Sequence, residues 1–251
     1  MGKLNGKIAL IIGGSEGIGF ATAQRFIAEG VEHIFITGRR QEVLDEAVKK
    51  IDSKNVSAIQ GDVSNMTDLD NLYSIIQTEK GRLDILFVNA AAGSFVALGP
   101  ITEKKFDDSF NVNVKGALFA VQKALPIFTD GGSIVLNGSV AAVKGGSGVS
   151  IYSASKAALR SFARCWTVDL KERKIRVNIV QPGPIDTPGL RSLGNSEEEN
   201  KTIRARLAAA TVMNRIAMAD EVAKAVVFLA SDDSSYVTGI ELFVDGGLAQ
   251  I

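Results

Sequence analysis

The sequence predicts one doubly wound α/β domain: a seven-stranded, mostly parallel sheet with helices on both faces. Three observations carry this expectation. Short apolar runs rich in β-branched residues alternate with longer segments of helical period along all 251 residues, and strand–helix–strand repetition gives parallel pairing through right-handed crossovers. The runs lack a strict apolar–polar alternation, as strands covered on both faces do. No linker, composition break or internal repeat divides the chain, and its length suits a single large domain, 1–251, with a full core.

In chain order, the first strand candidate, Lys7–Ile12, ends in a glycine loop, and Phe20, Ala23 and Ile27 follow at helical spacing. His33–Thr37 precedes a helix whose apolar stripe is Leu44, Val48 and Ile51; Val56–Gln60 precedes one carrying Leu69, Leu72 and Ile76. Ile85–Asn89 and Ser133–Leu136 are the fourth and fifth runs. A long helix from about Ser150 to Glu172 carries Leu159, Phe162 and Trp166, with Cys165 expected in the packing beside Trp166. Arg176–Val180 comes next, then an irregular stretch from Gln181 to about Asn195, long enough to be functional. A helix with Val222, Val226 and Leu229 and a last strand, Ile240–Val244, complete the pattern.

Composition removes several function classes. The 28 basic and 28 acidic residues cancel, so nothing points to nucleic acid as a partner. No run approaches the roughly 20 apolar residues of a membrane span, and the N-terminal residues do not resemble a signal segment, so a cytoplasmic protein is expected. One cysteine, Cys165, and one histidine, His33, exclude an internal disulfide and a Cys/His zinc cluster. A histidine triad would have to run through His33, and other groups are expected to do the acid–base work.

The glycine loop reads Gly13-Gly14-Ser15-Glu16-Gly17-Ile18-Gly19. A tight turn from a first strand into a helix aims free backbone N–H groups at an anion, and glycine lets the chain approach a pyrophosphate. A dinucleotide is therefore the expected ligand. Its flavour is tested at the end of the second strand, where a carboxylate would accept bonds from the ribose hydroxyls of NAD. Here the chain has Arg39-Arg40, with no carboxylate before Glu42. Guanidinium groups suit a 2′-phosphate, so NADP(H) is the preferred cofactor and NAD(H) the other possibility. Glu16 works against that preference, since it can lie near the same phosphate.

Tyr152 and Lys156 stand four residues apart at the start of the long helix, on one face. A tyrosine of ordinary pKa near 10 is about one part in a thousand ionised at pH 7. A neighbouring ammonium and a positively charged nicotinamide would both favour tyrosinate. Three units of lowering need roughly 4 kcal/mol. Tyrosine would then serve as general acid in ketone reduction and as base in reverse.

Gly13-x-x-x-Gly17-Ile18-Gly19, Asp62-Val63, Val88-Asn89-Ala90-Ala91, Asn113, Ser139, Tyr152-x-x-x-Lys156 and Pro182-Gly183 occur in this order across the chain. In this the sequence closely resembles the single-domain short-chain dehydrogenase/reductase family over essentially its full length. The resemblance implies a Rossmann-type sheet and a role for each match. Tyr152 is the implied proton donor, Ser139 the group that hydrogen-bonds the substrate oxygen, Lys156 the residue on the nicotinamide ribose, and Asn113 the support of a relay water. Asp62 and Val63 match adenine contacts, Asn89 and Ala90 lie beside the cofactor, and Ile185 and Thr187 follow Pro182-Gly183 towards the nicotinamide amide. Pro-S hydride transfer and a homotetramer are implied too, the apolar end Val237–Ile251 resembling the family's interface segment.

Two positions depart from the family pattern: Ile12 stands where threonine is usual, and Val88-Asn89-Ala90-Ala91 replaces Asn-Asn-Ala-Gly. Both shape the cofactor bed rather than the catalytic set. The expected activity is hydride transfer between NADP(H) and a small-molecule carbonyl or alcohol, with no metal. A dinucleotide-binding sensor without turnover would need only the glycine loop. A lyase or epimerase without net redox usually has a longer chain and a further substrate domain. The expected pocket wall is Val140–Ser150, with a lid at about 187–210 whose Leu190, Leu193, Leu207 and Val212 favour apolar carbonyl substrates.

Overall fold

The computed structural model describes residues 2–93 and 95–251. In chain order the elements are β1 (Ile8–Ile12), α1 (Gly17–Ala28), β2 (His33–Gly38), α2 (Gln41–Ile51), β3 (Val56–Gln60), α3 (Met66–Lys80) and β4 (Leu83–Val88). Then come α4 (Glu103–Phe110), which passes through a π-helical stretch (Asn111–Gly116) into α5 (Ala117–Ala124), β5 (Phe128–Asn137), α6 (Ser150–Asp169) and β6 (Arg176–Pro182). The chain closes with β7 (Ile185–Asp186), α7 (Pro188–Arg191), α8 (Glu197–Ala209), β8 (Ala217–Met218), α9 (Ala219–Ala230) and β9 (Glu241–Val244).

The main sheet has seven strands in the order β3-β2-β1-β4-β5-β6-β9. Every pairing in it is parallel. The inner strands alternate their side chains between two buried faces, which is why those runs read as continuously apolar, while the edge strands β3 and β9 are only partly covered. Ile8, Leu10 and Ile12 pack on one side with Leu69, Leu72 and Ile76 of α3, Val121 of α5 and Leu159 of α6. Ala9 and Ile11 pack on the other with Phe26 of α1, Leu44 of α2 and Val222, Val226 and Leu229 of α9. The chain turns back at β1, so β2 and β4 flank it, and the carboxyl ends of β1 and β4 open the crevice where such sheets bind ligands.

Three expectations need correcting. The stretch after Gln181 is not irregular throughout: β6 runs on to Pro182, and Ile185–Asp186 pairs in parallel with Ala217–Met218 in a small second sheet. Cys165 is exposed, not packed; the apolar stripe of α6 runs through Leu159 and Ala163, and position 165 turns away from it. Val212 is also exposed and lines a separate groove with Met213 and Phe243, away from the lid leucines. Among the described residues no helix is long and apolar enough to cross a membrane.

Candidate active site

The crevice is a groove of about 360 Å³ running from the glycine loop, past the ends of β2 and β3, to the segment after β4. Gly13, Ser15, Glu16, Gly17 and Ile18 form one wall; Arg39, Arg40, Asp62 and Val63 form a second; Asn89 to Ala92, Val112 and Thr187 to Gly189 close the far end. Helix α1 opens with no side-chain cap and no acidic residue in its first turn. Its first N–H groups are therefore unpartnered donors at the positive end of a dipole. A Cβ on Gly19 would lie 2.0 Å from the Gly13 carbonyl oxygen, and one on Gly17 3.1 Å from Thr187 Cγ2. The first glycine lets α1 pack against the end of β1, and the second keeps open the groove wall facing Thr187.

At the ribose end the two arginines differ in their partners. Arg40 forms an ion pair with Glu16 across the groove. Arg39 has no side-chain partner among the described residues. Asp62 points its carboxylate back to the Ser64 backbone N–H at 2.9 Å and hydroxyl at 2.6 Å, which sets the turn into α3.

At the far end a buried chain of amides links the glycine loop to α6. Asn89 Nδ2 donates to the Gly13 carbonyl at 2.6 Å, Asn137 Nδ2 donates to Asn89 Oδ1 at 2.8 Å, and Lys156 Nζ donates to the Asn137 carbonyl at 2.7 Å. Lys156 is only 1% exposed, and Asn137 O is the sole protein acceptor it reaches among the described residues. The Asn137 Oδ1 atom is buried without a partner. A buried acceptor without a partner calls for an explanation, and a hydroxyl of a bound ligand is one.

Lys156 Nζ lies 5.7 Å from the Tyr152 ring centroid. Burial lowers the Lys156 ammonium from 10.5 to about 7. Burial also raises the Tyr152 hydroxyl, and hydrogen bonding with Ser139 pulls it partly back. The expected lowering of the Tyr152 hydroxyl calls on two cations, Lys156 and a positively charged nicotinamide; in the protein by itself burial acts the other way. Burial disfavours the charged form of both groups, tyrosinate and ammonium alike.

Asn113 sits in the π-helical stretch, 1% exposed. Its Oδ1 accepts from the Ala92 N–H at 2.7 Å, while Nδ2 donates to the Ala92 carbonyl at 3.0 Å and to Ser155 Oγ at 2.9 Å. That amide is fully occupied in tying the segment after β4 to α6. The π geometry is a form that recurs at functional sites.

Of the predicted residues, Gly19, Asn113, Ser139, Tyr152 and Lys156 lie outside the groove's lining, and so do Pro182, Gly183 and Ile185: Pro182 and Ile185 are buried, and the Gly183 N–H donates to the Val244 carbonyl at 3.0 Å. These last three form the backbone scaffold from which Thr187 reaches the groove. His33 lies at the opposite end of β2 from the groove, against Phe35 and bonded to Ser57 Oγ at 3.0 Å. Sequence reasoning missed Phe95, whose ring packs 5.7 Å from that of Tyr152 at a 42° tilt and is 55% exposed. It missed Asn137 and Gln181 as well. An isolated phenylalanine or amide carries no periodic signal.

A family model described as enoyl-(acyl carrier protein) reductase matches residues 13–249. An oxidoreductase of Sarocladium schorii is 44% identical over 99% of this chain and 98% of its own length. The 3-oxoacyl-[acyl-carrier-protein] reductase of Thermotoga maritima is 36% identical, covering 98% of this chain and 99% of its own. A short-chain dehydrogenase/reductase from Serratia marcescens superposes with a TM-score of 0.91 at 30% identity, over 98% of this chain and 99% of that one. A blue fluorescent protein from a metagenomic library, solved in complex with NADPH, gives 0.90 at 34% identity over the same shares.

Proposed function

The chain belongs to the short-chain dehydrogenase/reductase family of NAD(P)-dependent oxidoreductases, and from that premise we propose that it reduces an apolar ketone or aldehyde with NADPH, or runs the reverse oxidation, with Tyr152 as the proton donor. The observation that carries this is that Tyr152 lies beside both Ser139 and the buried Lys156, and that Lys156 is tied through Asn137 and Asn89 to the glycine loop. A binder without turnover could use Lys156 on the cofactor ribose but has no use for the Ser139 and Tyr152 hydroxyls set side by side next to it.

In this reading the α1 N-terminus and glycine loop hold the pyrophosphate, Asp62 and Val63 the adenine, Asn89, Ala90 and Lys156 the nicotinamide half, and Ile185 and Thr187 its amide. The cofactor supplies the hydride to the carbonyl carbon. Ser139 hydrogen-bonds the substrate oxygen, and the Tyr152 hydroxyl donates the proton as negative charge develops on that oxygen. A hydroxyl whose pKa is raised is protonated at neutral pH, the form that reduction requires. Lys156, near 7, can take up and return a proton close to working pH, where such relays are most effective. Asn113 has no free amide group, so a part in the relay falls to its main-chain carbonyl.

Arg39 and Arg40 are the groups we assign to the 2′-phosphate, Arg40 exchanging Glu16 for it. Charge-assisted bonds of this kind contribute about 1.5–3 kcal/mol each. Arg39→Ala combined with Arg40→Ala should therefore raise KM for NADPH at least about 10-fold and leave that for NADH nearly unchanged. A wild-type enzyme whose kcat/KM with NADH equals or exceeds that with NADPH would remove the assignment.

The substrate wall is apolar where it can be read: Phe95 beside Tyr152 and the exposed Val143. Thr187 to Gly189 form the rim of the groove, and the lid we infer over 187–210 is pinned by Asp186. That carboxylate accepts both nitrogens of Arg191 at 2.9 Å and Arg204 Nη1 at 2.6 Å, and the two hydrogen-bonded guanidinium groups hold it well below the usual carboxylate range. A screen of alkyl ketones, aryl ketones, ketoesters and sugars, followed by loss of nicotinamide absorbance, should show turnover with apolar ketones. Turnover confined to sugars would overturn the substrate reading, and no cofactor oxidation with any carbonyl would overturn the reductase reading.

A further inference from the structure

Behind the Ser139 turn lies a polar network that neither the glycine loop nor the Tyr–Lys pair accounts for. Gln181, on β6, is completely buried. Its Oε1 accepts from the Ser139 backbone N–H at 2.5 Å, and its Nε2 donates to Glu241 Oε2 at 3.0 Å on the neighbouring strand β9. The same carboxylate oxygen accepts from Arg160 Nε at 2.6 Å.

The orientation of the Gln181 amide is decided by chemistry. A carboxylate only accepts, so the nitrogen must face Glu241 and the oxygen must face the N–H of Ser139. Burial works to raise the Glu241 carboxyl, and the bonds from Arg160 and Gln181 more than reverse it, so the group stays charged. Space for the amide exists because position 138 is glycine: a Cβ there would lie 2.1 Å from Gln181 Oε1.

Arg160 stands on α6 one turn beyond Lys156 and two beyond Tyr152. The network therefore ties the turn that carries Ser139 to the helix that carries Tyr152, by way of two strands. Among the described residues Ser139 Oγ accepts from the Ala141 N–H at 3.2 Å, and its hydrogen bonding lowers the Tyr152 hydroxyl.

We propose that Gln181, oriented by the Glu241–Arg160 ion pair, is a positioning residue that sets the Ser139 hydroxyl against Tyr152 and the substrate oxygen. This rests on the reading of Ser139 as the group that binds that oxygen. Misplacing a catalytic group by about 1 Å can cost on the order of 100-fold in rate.

Gln181→Met keeps the length and removes both bonds. It should lower kcat for ketone reduction about 10–100-fold with little change in the Kd for NADPH measured by direct titration. Glu241→Gln, which still accepts from Gln181, should restore most of the rate, whereas Glu241→Leu should resemble Gln181→Met and serves if the latter does not fold. The deciding measurement is Gln181→Met in a Ser139→Ala background, by single turnover. If Gln181 acts through Ser139, the second substitution adds almost nothing. A loss in that background as large as in wild type would show a merely structural role and overturn the proposal alone. Full turnover in Ser139→Ala itself would overturn the catalytic reading and the positioning role with it.

Discussion

Tyr152→Phe should lose about 10³–10⁴-fold in turnover while its affinity for NADPH stays close to wild type. The substitution removes one oxygen from a half-buried ring that still packs against Phe95 and Lys156. Fold and cofactor groove are left intact, so the loss is confined to proton transfer. Direct titration with NADPH and steady-state reduction of an apolar ketone measure the two quantities separately. Retained turnover in Tyr152→Phe would refute the proton-donor assignment, and a parallel loss of cofactor binding would assign the residue to the groove instead.

Lys156→Met should have two large effects of opposite kind. Turnover should fall about 10²–10⁴-fold, because the ammonium beside Tyr152 is gone. The cofactor-free protein, however, should become more stable near neutral pH. The lysine has a pKa of about 7 in the folded chain against 10.5 as its ordinary value, with burial as the cause. Below pH 7 both states carry the proton, and the full cost of burying the charge, on the order of 4 kcal/mol, is present. Between about 7 and 10.5 the unfolded chain binds the proton and the folded chain does not, so wild-type stability rises with pH. The variant lacks this dependence. Its advantage in Tm, several degrees at pH 6 to 7 for a chain of this size, should shrink steadily towards pH 10. Thermal melts across that range test it, and a difference that does not change with pH would show that the lysine is not buried as a cation.

These effects come from opposite demands at one place. In the proposed reading a charge needed beside the substrate must be taken out of water, and a bound ligand would satisfy the Lys156 donors that the Asn137 carbonyl does not take. Asn137 Oδ1, buried without a partner, belongs to the same arrangement.

Much of the fold was legible along the chain because its causes are local. Apolar runs without alternation marked all seven strands of the sheet, with errors confined to their ends; β5, for example, starts at Phe128 rather than Ser133 because its first residues pair only through Leu83. The glycine loop could be read because a strand–turn–helix junction needs small residues there. Tyr152 and Lys156 could be read because four residues make about one turn of helix.

What the sequence by itself determined, then, was the order of elements and the identity of the groups that converge. Only the tertiary structure decided how those groups are held. Arg40 meets Glu16, Asn137 meets Asn89, and Gln181 meets Ser139 and Glu241 because parallel crossovers bring distant strand ends side by side, and no spacing along the chain records that adjacency. Burial follows the same rule. Lys156 loses water and with it much of its basicity, while Cys165, nine residues further along the same helix, faces solvent. The difference depends on what packs against each face of α6.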